Sequence, residues 1–277
     1  MKPEEAGAAG AAPLLSIVTV CFNSAKTIGA MLASFDRSPL AASAQVEHLI
    51  VDGASTDGTL AVVEAHPAPI RRTLSEPDTG IYSAMNKGLR LSRGDYVWFL
   101  NSDDLLHPQI ALAWPLLLAM LGSRAPQVLV GEIEMFKDGV GGARRTRYWR
   151  VPGNVARARR YSWHPPHPAF IARRQLLLQL GGFDESKRIA ADFKLMTEAL
   201  RRSADDITVL ARPLVAMREG GVSNRSMRAI FDANRECYGS LRELGMSPGE
   251  ASLGICLKLM RKVAQKFVSP RLMEAPH

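Results

Sequence analysis

The sequence is poor in cysteine and has no long apolar run. Its 277 residues include three cysteines, an odd number too small for a disulfide scaffold and suited to a reducing compartment. No stretch reaches the ~20 apolar residues that a membrane-spanning helix needs. The Ala/Gly-rich residues 1–13 lack the apolar segment of a signal peptide, so we predict a flexible leader there. These absences predict a protein that works in the cytoplasm.

The composition is that of a globular protein with an uneven charge. Apolar residues make up 47% and charged residues 22%, which is enough to build a core and excludes wholesale disorder. The formal net charge is +8, yet residues 1–139 carry 10 basic and 15 acidic side chains, and the rest carry 25 and 12. This asymmetry predicts different partners for the two halves of the chain.

Strand and helix patterns alternate along the chain. The run Leu15–Phe22 is β-branched and continuously apolar, which is typical of a strand buried on both faces. The alternation predicts an α/β sheet whose ligands collect at the carboxyl ends of its strands. The other predicted strands are 46–51, 70–74, 95–100, 128–131, 207–211 and 214–217, and the predicted helices are 28–35, 59–65, 81–91, 108–121, one from about 174, 190–201, 226–244 and 248–267.

Two acidic clusters fall at that edge of the predicted sheet. One covers Asp52 to Asp57 and the other is the pair Asp103 and Asp104. For Asp57 the start of a helix, where Asp is favoured, is an equally good interpretation. The adjacent carboxylates of Asp103 and Asp104 repel unless a cation or a donor lies between them, and Mg²⁺ or Mn²⁺ prefers such ligands together with phosphate oxygens.

Several spaced motifs resemble family-2 glycosyltransferases with the glycosyltransferase-A fold. They are SIVTVCFN at 16–23, VDGASTDGT at 51–59, SEPDTGIYSAMNKG at 75–88 and FLNSDD at 99–104. The third is similar to the branch of the family that builds bacterial exopolysaccharides, such as the colanic-acid type. The resemblance covers residues 14–224 and implies a Rossmann-like, mainly parallel mixed sheet flanked by helices. It implies a nucleotide-sugar half at 14–139 and an acceptor half at 140–224. The two helices predicted after it make residues 225–277 a C-terminal helical extension outside the resemblance.

The resemblance implies a nucleotide-sugar donor site. Asp52 matches the position that contacts the base or ribose, and Asp103 matches the last carboxylate of the Asp-x-Asp signature that holds Mg²⁺ or Mn²⁺ on the diphosphate. Asn101 replaces the first Asp of that signature, which reduces the charge available to the metal and leaves an inactive relative as an alternative. The remaining positions implied to contact the donor are Glu76, Asp78, Asn86, Asn101 and Ser102.

The resemblance also implies a catalytic base and an acceptor side. Asp192 matches the acidic residue that takes the proton of the acceptor hydroxyl, although a surface position on a helix is the alternative. His167 precedes a segment similar to the acceptor-side strand of the family. Arg188 and Arg218 are candidate phosphate partners, because Arg offers a bidentate fork, or else solvated surface residues.

The implied reaction is inverting transfer from a UDP-, GDP- or dTDP-sugar to a glycan or polyprenyl-linked acceptor, in cell-surface polysaccharide or glycolipid biosynthesis. Residues 254–268 form a basic amphipathic helix, which predicts either peripheral binding to the anionic inner face of the plasma membrane or a packed helix with a solvated basic face.

Two other functions remain open from the residues alone. A sugar-nucleotide nucleotidyltransferase shares this architecture, but Asn23 to Lys26 is a poor match to its Gly-rich phosphate loop. A nucleic-acid binder could use the Arg-rich loop predicted at 139–162. No aromatic stacking pattern accompanies that loop, so we predict no nucleic-acid partner.

Overall fold

The computed structural model describes residues 12–138, 143–155, 158, 163–203, 206–220 and 227–267. The leader predicted at 1–13 lies almost wholly outside these residues. The strands are β1 Leu15–Cys21, β2 Val46–Asp52, β3 Arg71–Ser75, β4 Tyr96–Phe99, β5 Leu105–Leu106, β6 Val128–Lys137, β7 Arg144–Trp149, β8 Phe170–Arg173 and β9 Ile207–Arg218. The α-helices are α1 Ile28–Asp36, α2 Thr59–Glu64, α3 Ile81–Leu91, α4 Ile110–Ala119, α5 Arg174–Gln179, α6 Ala191–Arg202, α7 Met227–Glu243 and α8 Pro248–Phe267.

The strands form one mixed sheet in the order β3-β2-β1-β4-β8-β6-β9-β5, with β7 paired to β6. The first four strands are mutually parallel, and β8 runs antiparallel to both β4 and β6. The reversal at β8 brings the start of that strand to the edge where β1, β2 and β4 end. The predicted α/β sheet with flanking helices is confirmed.

Side chains of the central strands are buried on both faces, as the apolar run in β1 predicts. Leu15, Ile17 and Cys21 belong to one core cluster, and Val18 and Val20 belong to the cluster on the other face. Burial of this kind stabilises the fold by roughly 1.5–3 kcal/mol per large apolar side chain. The sheet is therefore a rigid support for the loops at its carboxyl edge.

The structure corrects three sequence-based predictions of elements. The Arg-rich segment is not one long loop, because Arg144–Trp149 forms β7 along β6. The two strands predicted at 207–217 are a single strand, β9, whose pairing with β6 shifts register near Gly131. β5 was not predicted at all, since two leucines give no periodic signal.

The C-terminal helices α7 and α8 pack on the rest of the domain. Cys237, Leu241 and Ala251 form a cluster with Ala190 and Phe193 at the start of α6. None of the described helices is long and apolar enough to cross a membrane.

Candidate active site

A polar turn joins the carboxyl ends of β1 and β2. The buried carboxylate of Asp52 accepts hydrogen bonds from the Ser55 N–H at 2.9 Å, the Ser55 hydroxyl at 2.5 Å and the Ser75 hydroxyl at 2.7 Å. Burial would raise the pKa of Asp52, but these hydrogen bonds outweigh it and hold that pKa below its usual value. Asp52 thus organises the turn with its own oxygens, and a direct contact with the donor stays a prediction.

Asp57 accepts hydrogen bonds from the first residue of α2. Its carboxylate accepts the Thr59 N–H at 3.1 Å and the Thr59 hydroxyl at 2.5 Å, and it also accepts the Ala25 N–H at 3.1 Å. The hydrogen bond from the Thr59 hydroxyl does most to lower the pKa of Asp57. These contacts favour the helix-start interpretation and fasten the loop after β1 to the turn after β2.

Phe22, Gly53 and Asp78 lie close together beside this turn. The Phe22 side chain is 62% exposed, although it directly follows a buried strand. A Cβ at Gly53 would lie 2.5 Å from Asp78 Oδ2 and 3.4 Å from Phe22 Cδ2, so a larger residue there would displace the Asp78 carboxylate. Asp78 also accepts the Gly80 N–H at 2.8 Å. An aromatic ring and a carboxylate beside bare backbone suit a nucleoside, and Phe22 was missed as a candidate because it continues an apolar run.

The side chains of the other two predicted donor residues from this region are held by partners within the protein. Glu76 is exposed and forms an ion pair with Lys87 at 2.8 Å. Asn86 is buried, donates to the Phe183 carbonyl and Glu185, and accepts the Phe183 N–H, each at 2.8 Å. Asn86 therefore holds α3 to the loop before α6, and its predicted contact with the donor remains a prediction.

The loop after β4 carries two adjacent carboxylates, of which that of Asp103 is half-buried and that of Asp104 is buried. Asp104 is buried, and it accepts hydrogen bonds from the Asn101 amide and the Arg218 N–H, both at 2.9 Å. Burial, together with the charge of Asp103, raises the pKa of Asp104 to about 7. Ser102 donates to the Ser24 hydroxyl at 3.1 Å, which ties this loop to the end of β1.

Asp103 and Asn101 can hold a divalent cation only with help from other ligands. The Asp103 carboxylate is half-buried, and the described part of the chain offers it no hydrogen bond or ion pair. No group of three or more His, Cys, Asp or Glu side chains in that part could hold a metal ion. One carboxylate and one amide suit Mg²⁺ or Mn²⁺ that takes its remaining ligands from phosphates and water.

Of the two predicted phosphate partners, one lies at this loop. Arg218 donates from Nε to the Asp103 carbonyl at 3.3 Å, pairs with Asp138, and lies over the Phe136 ring at 4.9 Å. Arg188 is exposed. Arg218 therefore stabilises the 101–104 loop through its carbonyl and carboxylate oxygens.

Asp192 stands in the first turn of α6 and is tied to the donor half by Tyr82. The Tyr82 hydroxyl lies 2.6 Å from the Ile189 carbonyl and 3.4 Å from Asp192 Oδ1. Burial raises the pKa of Tyr82 further above its usual value, so the hydroxyl stays a donor. Its ring stacks on Phe183 at 5.7 Å. Tyr82 was not predicted, because a single Tyr in a helical pattern is a normal core residue.

A cavity of about 230 Å³ lies beside Asp192. His164 and His167 line it, and so do Trp149 and Phe193. Burial, assisted by the charge of Lys258, lowers the pKa of His164 to about 4, and burial lowers the pKa of His167 as well. The buried Nε2 of His167 has no hydrogen-bond partner within the described residues. The structure thus brings His167 and Asp192 to one cavity, and it adds His164.

The C-terminal helices complete this site. Glu236 of α7 accepts the N–H groups of Ile189 and Ala190 at 2.8 and 2.9 Å, just before α6 begins. The Lys258 ammonium group of α8 lies over the ring of Phe193 at 5.2 Å, and Phe193 directly follows Asp192 in the chain. Neither residue follows a motif in the sequence, so sequence reasoning missed both.

Comparison with solved structures establishes the fold. Staphylococcus aureus TarS 1-349 in complex with UDP-GlcNAc superposes with a TM-score of 0.65 at 20% identity, covering 90% of this chain and 72% of that one. The mannosyltransferase PcManGT from Pyrobaculum calidifontis, in complex with GDP-Man and Mn²⁺, gives 0.60 at 20% identity, covering 91% and 76%. The chain has the glycosyltransferase-A fold that the resemblance implied.

Sequence comparison establishes the family. An uncharacterized glycosyltransferase of Mycobacterium tuberculosis is 28% identical over 239 residues, which are 84% of each chain. A PGL/p-HBAD biosynthesis glycosyltransferase of Mycobacterium bovis is 30% identical over 189 residues, which are 66% of this chain and 68% of the relative. The profile described as Glycosyl transferase family 2 matches residues 16–180. The chain therefore belongs to glycosyltransferase family 2.

Proposed function

We propose that this glycosyltransferase moves a sugar from a nucleotide-sugar donor to an acceptor hydroxyl with inversion, using Asp192 as the base. The observation that carries the proposal is the position of Asp192. Its carboxylate lines a cavity of about 230 Å³ and is joined through Tyr82 to α3, the helix that begins beside the Asp78 loop. One carboxylate thus lines a cavity that can admit an acceptor and contacts the helix that follows the Asp78 loop.

The donor side is supported by chemistry and by relatives. The exposed Phe22 ring can stack on a base, and Asp78 can accept hydrogen bonds from ribose hydroxyls beside Gly53. TarS is described with UDP-GlcNAc and PcManGT with GDP-Man, which supports a nucleotide-sugar donor, and the proposed candidates are UDP-, GDP- and dTDP-sugars.

In the proposed reaction the Asp192 carboxylate takes the proton of the acceptor hydroxyl as its oxygen bonds to the anomeric carbon. The bond from that carbon to the diphosphate oxygen breaks, and the nucleoside diphosphate leaves with the electron pair. Base catalysis of this kind contributes roughly 10²–10⁴ in rate. Tyr82 holds the Ile189 carbonyl and thereby the start of α6, which fixes the Asp192 carboxylate.

Asp103, assisted by Asn101, is the residue that would hold Mg²⁺ or Mn²⁺. When bound, such an ion neutralises charge on the leaving diphosphate. Two solved neighbours are described with Mn²⁺, PcManGT and the glucosyl-3-phosphoglycerate synthase of Mycobacterium tuberculosis, the latter with a TM-score of 0.52. Both descriptions support use of a divalent ion here.

The proposed setting is cell-surface polysaccharide or glycolipid synthesis at the inner face of the plasma membrane. The Mycobacterium bovis relative named for PGL/p-HBAD biosynthesis supports a glycolipid acceptor. The outward face of α8 also supports a membrane location, because Met260 and Val263 are 66% and 56% exposed.

A donor panel and one substitution test the proposal. The melting temperature of the protein is measured with each of a set of UDP-, GDP- and dTDP-sugars. Only the true donor should raise it, and the increase should be larger with Mn²⁺. Asp192→Asn should retain that shift and lose at least about 10²-fold in sugar transfer or donor hydrolysis. Asp95→Asn is the matched control, since Asp95 is exposed before β4 at the opposite edge of the sheet. Full turnover in the Asp192 variant would overturn the role of this base.

A further inference from the structure

The cavity beside Asp192 is lined by an excess of positive charge. Arg147 of β7 lines it, and so do Lys258, Arg261 and Lys262 of α8. Asp192 is the one carboxylate among the described residues that line it. Burial holds His164 and His167 neutral at pH 7. Of these cations, Arg147 and Lys258 contact only neutral partners within the described residues, and they make the cavity attractive to an anion.

Arg147 is a buried cation without a carboxylate in contact. Its side chain donates from Nε and Nη2 to the Met135 sulfur at 3.0 and 2.7 Å, and no other partner is recorded within the described part of the chain. Glu219 is the acidic residue that acts on it, and that carboxylate already accepts from Thr146 and pairs with Lys137. A thioether is a weak acceptor, so the guanidinium retains most of its capacity for oxygen ligands.

Lys258 presents a second cation across the cavity. Its ammonium group lies 2.9 Å from Cys237 Sγ and 3.3 Å from Asn234 Oδ1, both neutral partners. Burial raises the pKa of the Cys237 thiol, so the sulfur does not neutralise the lysine. His167 also lines the cavity, and its buried Nε2 has no hydrogen-bond partner among the described residues.

We propose that this cavity is a phosphate subsite of the acceptor, in which Arg147 and Lys258 bind a phosphate group while Asp192 faces the hydroxyl to be glycosylated. The inference rests on the proposed function and adds the substrate class, an acceptor that is itself a phosphate ester. Trp149, Trp163 and Phe193 provide the apolar walls on which the carbohydrate or lipid part of that ester would lie.

Two kinds of acceptor could supply the phosphate group that the cavity binds. One is a lipid-linked phosphate and the other is a free sugar phosphate. Calorimetry on the full chain, saturated with the nucleoside diphosphate that binds it best and with Mn²⁺, distinguishes them. Prior saturation fills the donor site, so that added phosphate esters report on the acceptor side. The probes are inorganic phosphate, glucose 1-phosphate and decyl phosphate, and stronger binding of decyl phosphate than of glucose 1-phosphate identifies the lipid source.

Arg147→Gln and Lys258→Gln should each weaken binding of the best phosphate probe by about 10- to 100-fold and leave nucleoside diphosphate binding unchanged. Arg147→Lys, which keeps the charge and loses the fork, should weaken binding by less. Arg212→Gln is the matched control, because Arg212 is exposed on β9. The melting temperature of each variant shows whether it folds, and two separate positions keep the test independent of one unstable variant.

Equal binding of the phosphate probes by the wild type and by both Gln variants would overturn the subsite. Binding of decanol and decyl phosphate with the same affinity would overturn it too, because the cavity would then recognise only the apolar part. Failure of every nucleoside diphosphate to bind would instead contradict the proposed function, which separates the two failures.

Discussion

Among single residues, Tyr82 is the one whose hydroxyl links the two halves of the site. Tyr82→Phe keeps the ring stacked on Phe183 and removes the donor to the Ile189 carbonyl and Asp192. A neutral hydrogen bond of this kind contributes about 1 kcal/mol, so we expect the turnover number to fall about 5- to 10-fold with little change in donor affinity. Steady-state kinetics that separate kcat from KM measure this.

Tyr238→Phe is the control for that substitution, because the Tyr238 hydroxyl makes no hydrogen bond among the described residues. The control should have wild-type kinetics. If Tyr82→Phe raises the donor KM and leaves kcat unchanged, then Tyr82 shapes the donor surface and does not position Asp192.

His164 makes stability depend on pH in one direction. Burial and the charges of Lys258 and Arg261 lower its pKa to about 4, while Asp192 acts weakly in the opposite sense. The unfolded chain therefore binds the proton more tightly, so the stability contributed by neutral His164 is complete above pH ~6.5 and is lost as the pH falls toward 4. Between pH 7 and 5 we expect a loss of roughly 1–2 kcal/mol from this residue.

Urea unfolding at pH 7 and pH 5 checks this for the wild type and for His164→Asn. The Asn side chain can still donate to the Pro165 carbonyl, which His164 Nδ1 contacts at 3.0 Å. The variant should show the smaller loss between the two pH values. Parallel pH dependences for the two proteins would mean that His164 is protonated in the folded state.

For single residues, the sequence predicted which side chains carry family motifs, but it did not predict which partners those side chains contact. Asp103 and Asp192 carry the motifs, and the structure places them at the loop after β4 and at the start of α6. Asn86 has an equally clear motif, yet its side chain is used to hold Phe183 and Glu185. Residue type and spacing cannot distinguish these cases, because the partners lie about 100 positions away in the chain.

Among the elements, α6 depends on a carboxylate from α7. The N–H groups before the first turn of a helix have no partner within the helix, and Glu236 accepts those of Ile189 and Ala190. We expect Glu236→Gln to lower the free energy of unfolding by about 1–2 kcal/mol and to lower turnover, because Asp192 is in that first turn. Thermal unfolding and a transfer assay measure the two effects.

Glu64→Gln makes the same chemical change at the exposed end of α2 and should alter neither quantity. Loss of stability in Glu236→Gln with full activity would show that the start of α6 keeps its geometry without the cap.

Prediction from the sequence was good for elements with a clear period and poor for the rest. The helix at 81–91 was predicted with its observed bounds, because its apolar positions recur at helical spacing. β7 was not predicted, because Arg144–Trp149 has no apolar residue at every second position and its first three residues are exposed. Its pairing with β6 is a long-range contact that local patterns do not encode.

Over the whole molecule, the charge asymmetry predicted a division of tasks but not its geometry. The basic amphipathic helix was expected to pack with its basic face in solvent or to lie on a membrane. In the structure Lys258, Arg261 and Lys262 line the cavity together with Leu259, while Met260 and Val263 on the same helix are 66% and 56% exposed. The packing of α8 against α7 and the rest of the domain decides which residues of α8 face the cavity. The resemblance ends at residue 224, so it could not predict that packing.

That outward face gives the last prediction. An exposed apolar stripe beside a cavity that attracts anions fits the surface of an anionic bilayer, and the wild type should sediment with vesicles containing phosphatidylglycerol more than with neutral vesicles. Met260→Glu removes an apolar side chain that is 66% exposed and adds a repelled charge, so the partition coefficient should fall about 10-fold or more. Leu112→Glu is the matched control, since Leu112 is 68% exposed on α4. If both variants lose binding equally, or if the wild type stays in the supernatant, α8 does not dock on a membrane.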